Sequence, residues 1–351
     1  MEGDMFINKG MEVIISVAAA SILFIVSMQE TKACTRILIA DKQHSVMMGR
    51  SMDWEEDMQT NLLILSRHIP HSGGELAEAK EGNWVTWESK YGSVVATGYE
   101  NFITDGLNEM GFAVHLLWHE GADYGARDPE KPGLSLALWL LYYLDNFKSV
   151  EEAVTFTQTH PLQIIPFYHE QTRQWGKLHL VLDDASGDSA VLEYVNGRLS
   201  IYHSPEYITV TNEPDYNVHL QNLKRYRGFG GKKALPGKFT SKNRFVRASF
   251  YAKVLPAFVS NHDRVMELLA LLNNVAYPFT TIDETKSIWR IVSDLTNKIY
   301  YFQASKNQNL ISVNLNQFDL EKPSIQKLDL VNHPEYVGDV TDKFESANGI
   351  L

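Results

Sequence analysis

A single cysteine, Cys34, occurs in a chain of 351 residues. That count excludes an internal disulfide framework, and in an exported protein it marks a free reactive thiol or an intermolecular link. Positive charge is also scarce, with 32 Lys and Arg against 43 Asp and Glu and a net charge of −11. No basic run interrupts this balance, so non-specific nucleic-acid binding, which neutralises phosphates with Lys and Arg, is not expected. Long apolar runs are missing too. The stretch from Val13 to Met28 falls short of the ~18–20 residues that a membrane-spanning helix needs. There is no His-Glu-x-x-His motif. His115 and His119 lie in a segment that reads as a strand, where residues four apart are separated by ~13 Å, so no metal site is expected there. No Gly-x-Ser-x-Gly elbow is present, which speaks against a serine nucleophile on an α/β-hydrolase sheet. The local Cys-Gly-Ser-Cys-Trp pattern of papain-like enzymes is absent, although twelve histidines leave a Cys–His pair open.

What the chain does contain is organised around Thr31-Lys32-Ala33-Cys34-Thr35-Arg36. Residues 1–33 have the form of a secretory signal: an apolar segment followed by Ala33 at a signal-peptidase-like cut. Translation from Met5 would give the better-formed start. Cleavage after Ala33 would make Cys34 the first residue, with thiol and α-amino group on one residue as nucleophile and base. Removing residues 1–33 takes away four acids and two bases, leaving 39 against 30 and a charge of −9. The rival reading is a membrane-tethered binding lipoprotein anchored through Cys34. Thr31-Lys32-Ala33 is too polar for a lipid-attachment box, and a diacylglyceryl mass on Cys34 would separate the two.

From Thr35 onward the pattern is sheet-rich. Strands are predicted over 35–40, 45–50 (joined by a turn at 41–43), 61–69, twice within 83–97, and over 112–118, with Asp105 to Gly111 as punctuation. Leu134 to Phe147 reads as a buried helix, and Ser149-Val150-Glu151-Glu152 caps a second helix over 151–159. Strands return over 177–183, 190–194 and 198–202, the last pair joined at Asn196-Gly197. A basic, Gly-rich loop over 224–238 precedes helices around 245–259 and 262–273, and strands over 287–290, 298–303 and 310–315 close the chain. No linker or repeat stands out, so residues 34–351 are expected to form one domain of α+β class with layered sheets and helices.

The chemistry-bearing residues cluster near the new terminus. A free α-amino group has a reference pKa of roughly 7.7–8.0, so it can act as a base near neutrality. A hairpin would return Arg50 and Asp53 beside Cys34, a cation to favour thiolate and a carboxylate to hold the amine. On spacing alone, a surface Arg–Asp pair is equally open. Five blocks then become specific together. They are Cys34-Thr35-Arg36, Gly49-Arg50-Ser51-Met52-Asp53-Trp54, Asp105-Gly106-Leu107-Asn108-Glu109-Met110-Gly111, Val210-Thr211-Asn212-Glu213-Pro214 and Asn243-Arg244-Phe245-Val246-Arg247. In order and spacing they resemble the choloylglycine hydrolase family of conjugated bile acid hydrolases and penicillin V acylases. The resemblance runs from Cys34 to about Tyr301.

It implies a four-layered αββα N-terminal-nucleophile hydrolase sandwich that cleaves linear amide C–N bonds without a cofactor. By the same resemblance Cys34 is the nucleophile, Arg50 stands beside its sulfur, and Asp53 partners its α-amine. Asn212 supports the oxyanion and Arg244, with Arg247 as a weaker alternative, organises the site. A neutral amide N–H suits a developing oxyanion. Trp118 stands where Gram-positive bile salt hydrolases carry a second asparagine, and the loop between Asn212 and Arg244 is shorter than theirs. Both features resemble the Gram-negative branch, and they leave the second oxyanion donor to a backbone amide. Trp54 and Trp118 become candidate walls of an apolar acyl pocket, with ordinary core packing as the alternative. The expected substrate is a small N-acyl amide with an apolar acyl group (a conjugated bile salt, penicillin V or an N-acyl homoserine lactone). An exported periplasmic or secreted enzyme is expected, with no stable membrane anchor and with a homodimer or homotetramer allowed.

Overall fold

The computed structural model describes residues 33–40, 45–77, 82–99, 101–169, 173–256, 260–278, 285–347 and 349. The expected signal segment, apart from Ala33, and the predicted turn at 41–43 lie outside the described residues. Among the described residues no helix is long and apolar enough to cross a membrane.

Strand β1 (Ala33–Ala40) pairs antiparallel with β2 (Val46–Trp54), setting Cys34 opposite Met52 and Arg36 opposite Arg50. Alternation along these strands divides their side chains between two faces. Ile37 and Met47 join a cluster with the helical residues Val265, Leu268 and Leu272, whereas Cys34, Leu38, Met48 and Met52 join the larger core. Arg50 therefore points between the sheets and Asp53 towards the helices. The other strands numbered in chain order are β3 (Leu62–Leu65), β4 (Ser93–Gly98), β5 (Phe102–Asn108), β6 (Phe112–Trp118), β7 (Leu178–Asp184), β8 (Ser189–Val195) and β9 (Arg198–His203). After them come β10 (Thr209–Val210), β11 (Lys286–Asp294), β12 (Ile299–Ala304), β13 (Leu310–Asn314), β14 (Ile325–Leu328), β15 (Gly338–Asp339) and β16 (Glu345–Ser346). One sheet runs β10-β1-β2-β11-β12-β13-β15; the other runs β9-β8-β7-β6-β5-β4-β3-β14-β16.

Helices α1 (Trp139–Asn146) and α2 (Val150–Thr159) cover the nine-stranded sheet. Helix α3 (Tyr216–Leu223) packs on α4 (Ser241–Val254), and α4 and α5 (Asn261–Val275) cover the seven-stranded sheet. The result is the expected αββα sandwich. Its cause is legible in burial: β1, β2, β5, β6 and β7 are buried on both faces, so each sheet is covered on both sides.

Several local expectations need correction. The helix expected from Leu134 begins only at Trp139, because Leu134 pairs in a short parallel ladder with Ile164 and Ser135 caps a 3₁₀ turn through its side chain. The strand expected over 61–69 ends at Leu65, where Arg67 and His68 turn the chain and His68 takes φ 64°. Asp105-Gly106-Leu107 is not punctuation but part of β5; only Glu109 and Met110 turn. The helix expected around 245–259 starts four residues earlier and stops at Val254, ahead of Pro256.

Candidate active site

Cys34 sits near the start of β1, 1% exposed. With Ala33 attached its nitrogen is a peptide amide, and it donates to Asn212 Oδ1 at 2.7 Å. Its sulfur lies 3.5 Å from Met52 Sδ and 3.8 Å from Arg50 Nη2. Arg50 is fully buried and held in one pose. Nη1 donates to Thr104 O at 2.6 Å and to Asp105 Oδ2 at 2.8 Å, and Nη2 donates to Leu116 O at 2.5 Å. Trp289 lies beneath its guanidinium, 5.3 Å to the ring centroid. Burial alone would lower the Arg50 pKa, but the nearby sulfur of Cys34 and the Asp105 carboxylate outweigh it and raise it.

Asn212 follows β10, the edge strand beside β1, which is how the chain brings it to Cys34. Its Nδ2 donates to Trp118 O at 2.8 Å, its backbone N–H to Ser241 Oγ at 3.1 Å, and its carbonyl oxygen meets His219 Nε2 at 2.8 Å. Arg244, on the first turn of α4, is the clamp. Its Nη1 donates to Cys34 O and Thr35 Oγ1, each at 2.6 Å, and its Nη2 to Asn212 Oδ1 at 2.6 Å. Arg247 instead donates to the carbonyls of Lys238, Pro236 and Asn274, tying α4 to its surroundings and not to the sulfur.

Asp53 lies opposite Ala33 in the β1–β2 register, accepts from Ser287 Oγ at 2.5 Å and has Arg244 Nη1 3.8 Å away. Its Oδ2 is buried without a hydrogen-bond partner among the described residues. Burial raises its pKa, with Arg244 and the Ser287 hydroxyl opposing. In the chain that keeps Ala33, then, the nitrogen of Cys34 is held by Asn212, while Asp53 waits one residue further along.

Trp54 and Trp118 meet edge to face, centroids 5.8 Å apart, and line with Cys34 a pocket that is almost wholly apolar. Tyr99, Phe102, Phe167 and Trp175 complete its walls. The sequence pattern did not single these out, because they come from two stretches, 99–102 and 167–175, that meet Cys34 only in the fold. A larger groove beside Tyr124, Trp139 and Tyr194 lies away from Cys34.

The two histidines of HLLWH meet different partners, and His119 lies just past the end of β6. His115 Nδ1 is 2.7 Å from Asp105 Oδ2, whereas His119 stacks on His179, centroids 5.2 Å apart. His119, His179 and Glu193 are the one fully buried set of described residues whose donor atoms all lie within 4.8 Å of one another. There the His179 Nδ1–Glu193 Oε1 contact of 2.9 Å and the Tyr216 N–H donated to Glu193 Oε2 at 2.9 Å already engage the carboxylate, and the two rings lie parallel within 6°. That arrangement anchors the start of α3.

Residues 34–331 match the family model of linear amide C–N hydrolases, choloylglycine hydrolase family. The chain is 33% identical over 346 residues to the penicillin V acylase of Pectobacterium atrosepticum, covering 90% of each. It is 24% identical over 324 residues to a bile salt hydrolase/transferase of Clostridium perfringens, covering 84% of this chain and 95% of the other. The solved penicillin V acylase of Agrobacterium tumefaciens superposes with a TM-score of 0.80 at 36% identity, over 90% of this chain and 98% of that one. A variant of the C. perfringens conjugated bile acid hydrolase shares the fold, with a TM-score of 0.70 at 22% identity. With the sulfur, clamp and apolar pocket assembled as described, the chain belongs to the choloylglycine hydrolase family and is a hydrolase acting on linear amide C–N bonds.

Proposed function

We propose that the protein is an exported acylase, activated by removal of residues 1–33, that hydrolyses a small N-acyl amide with a flat aromatic or similarly apolar acyl group. The observation that carries this reading is the position of the Cys34 sulfur, on the wall of an apolar aromatic pocket and 3.8 Å from Arg50 Nη2. An acyl chain seated between Trp54 and Trp118 presents its amide carbon to that sulfur. Penicillin V fits this description best among the three candidates, and the greater identity to penicillin V acylases points the same way. Trp118 and the short loop before Arg244 favour the Gram-negative-type branch.

In this mechanism the thiol proton of Cys34 passes to the α-amine, and the thiolate attacks the amide carbon. The carbonyl oxygen becomes an oxyanion. Asn212 has two N–H hydrogens on Nδ2, one given to Trp118 O, and the second meets the oxyanion with a backbone N–H beside it. The α-ammonium returns its proton to the leaving amine as the C–N bond breaks. Water, deprotonated by the same amine, then hydrolyses the thioester. Asp53, which lies opposite Ala33 in the strand register and has Arg244 Nη1 3.8 Å from its Oδ2, takes up the ammonium once Ala33 is gone.

The test combines N-terminal sequencing of the exported form with amine release from penicillin V, glycine- and taurine-conjugated bile salts and N-acyl homoserine lactones. A terminus at Cys34 and preferred release from penicillin V are expected. A fully active form that retains Ala33 overturns the mechanism, and a preference for bile salts overturns the substrate assignment.

A further inference from the structure

Five fully buried ionisable side chains meet between the two sheets: Arg36 and Arg50 from one, Asp105, His115 and Asp183 from the other. Arg50 Nη1 is 2.8 Å from Asp105 Oδ2, and Arg36 Nε is 3.3 Å from Asp183 Oδ2. His115 bridges the two pairs, with Nδ1 2.7 Å from Asp105 Oδ2 and Nε2 3.4 Å from Asp183 Oδ2. Tyr300 OH donates to Asp105 Oδ1 at 3.0 Å, and Arg36 Nη2 to Ser189 Oγ at 2.7 Å. Tyr216 on α3 is the remaining titratable neighbour, facing Arg36 and Asp183.

A neutral imidazole carries one N–H and would turn a lone pair towards one of the two carboxylates; only the imidazolium offers a proton to both. Among the described residues neither oxygen of Asp183 has a formed hydrogen bond, so this buried carboxylate depends on the cations on both sides. Burial alone would lower the His115 pKa, but Asp105 and Asp183 outweigh it and raise it. The count of charge then follows. Two guanidiniums offset two carboxylates, and the imidazolium leaves one positive charge in surplus. The Cys34 sulfur, 3.8 Å from Arg50, is where a balancing anion can form.

We infer that His115 is a positioning residue: held as an imidazolium between Asp105 and Asp183, it supplies the surplus charge that lets Arg50 hold the Cys34 sulfur as a thiolate. This rests on the reading of Cys34 as the nucleophile. His115 touches no reacting atom, and its effect passes through Asp105 and Arg50. Without its charge, Asp105 draws Arg50 wholly into a neutral pair and the sulfur loses its counter-charge.

The experiment is alkylation of Cys34 by iodoacetamide across about pH 5 to 9, followed by mass spectrometry, on the processed protein and its His115→Gln and His115→Asn variants. Each variant keeps one hydrogen bond and removes the charge. The profile is expected to move about one pH unit towards alkaline, with alkylation near neutrality slowed roughly three- to tenfold and the alkaline plateau unchanged. The acid limb of kcat/KM should move with it while KM stays near its wild-type value. Folded variants whose alkylation profile overlays the wild type overturn the inference. Should both variants fail to fold, ¹⁵N-histidine spectra of the wild type decide. One buried ring that stays protonated on both nitrogens above the ordinary histidine range is expected, and its absence refutes the inference. Alkylation needs no substrate, so a wrong substrate assignment leaves this result intact and shows only as absent turnover.

Discussion

Arg244 is the residue through which the site's geometry is fixed. Three hydrogen bonds of 2.6 Å, to Cys34 O, Thr35 Oγ1 and Asn212 Oδ1, tie the nucleophile's backbone to the amide proposed for the oxyanion. A guanidinium makes these contacts because its donors diverge in one rigid plane; an ammonium is a compact point with no such fork. Arg244→Lys should therefore keep the charge beside Asp53 yet loosen Asn212 against Cys34. Misplacement on this scale costs about 10²-fold in kcat/KM. The fall should appear in kcat measured by amine release, with KM moved far less. An Arg244→Lys variant at wild-type kcat would show that the clamp does not set the geometry. Cys34→Ala is the companion case: turnover should vanish while circular dichroism and the melting midpoint remain those of a folded chain.

At the scale of elements, β5 explains why Asp105 and Gly106 lie side by side in sequence but do different work. Asp105 points between the sheets to Arg50, and Gly106 points outward beneath α1. A Cβ at Gly106 would stand 2.5 Å from Leu144 Cδ1 and 3.1 Å from the Val94 carbonyl oxygen. Gly106→Val should accordingly destabilise by about 1–3 kcal/mol through overpacking. A lower urea midpoint would register the loss, and Leu144→Ala in the same chain should recover part of it. An unchanged midpoint would mean that α1 slides freely on the sheet. Elements with strong local signals were legible from sequence. The Asn196-Gly197 hairpin and α5, whose Ser260 caps it by accepting from Asp263 N, are two such cases. Two others were not. Leu134 and Ser135 look helical because they open a largely apolar run that becomes a helix, yet ladder partners thirty residues away claim them. Helix α3 is short and polar, and the Glu193 carboxylate receiving Tyr216 N–H supports its first turn from a distant strand. The site divides in the same way. Cys34, Arg50, Asn212 and Arg244 stood out through order and spacing, whereas Asp183 and Arg36 acquire meaning only when two sheets face each other. A single charge in an otherwise apolar strand, as in Thr35-Arg36-Ile37-Leu38, was the available signal.

Across the whole molecule, buried titratable groups set how stability responds to pH. His119 and His219 are both pushed down to about 4, chiefly by burial; His179 adds to the effect on His119, while the Asn212 carbonyl opposes it at His219. In the unfolded chain such rings protonate near 6.5. Between about 6.5 and 4 the unfolded state thus binds more protons, and stability falls as pH falls. His71, lowered by burial against the pull of Glu75, acts in the same sense. Asp145 works oppositely. Burial pushes it up to about 8 despite the hydrogen bond from Trp87 Nε1, so the folded state keeps a proton that the unfolded chain releases near 4. Its contribution is present at low pH and is lost as pH rises through 8. His115, raised by its carboxylates against burial, adds to that alkaline loss above about 6.5. Between 4 and 6.5 these three histidines outnumber the two raised carboxyls, Asp145 and Asp53, so the net slope is upward; above 6.5 it turns downward. Thermal melts should therefore show a maximum near pH 6.5. Asp145→Asn, neutral at every pH, should flatten the alkaline side and raise the melting midpoint at pH 8.5 by about 2–4 °C for each kcal/mol regained. A wild-type midpoint that climbs steadily from acid to pH 8.5 would mean that Asp145 is ionised in the folded protein and paired by a cation that moves to meet it.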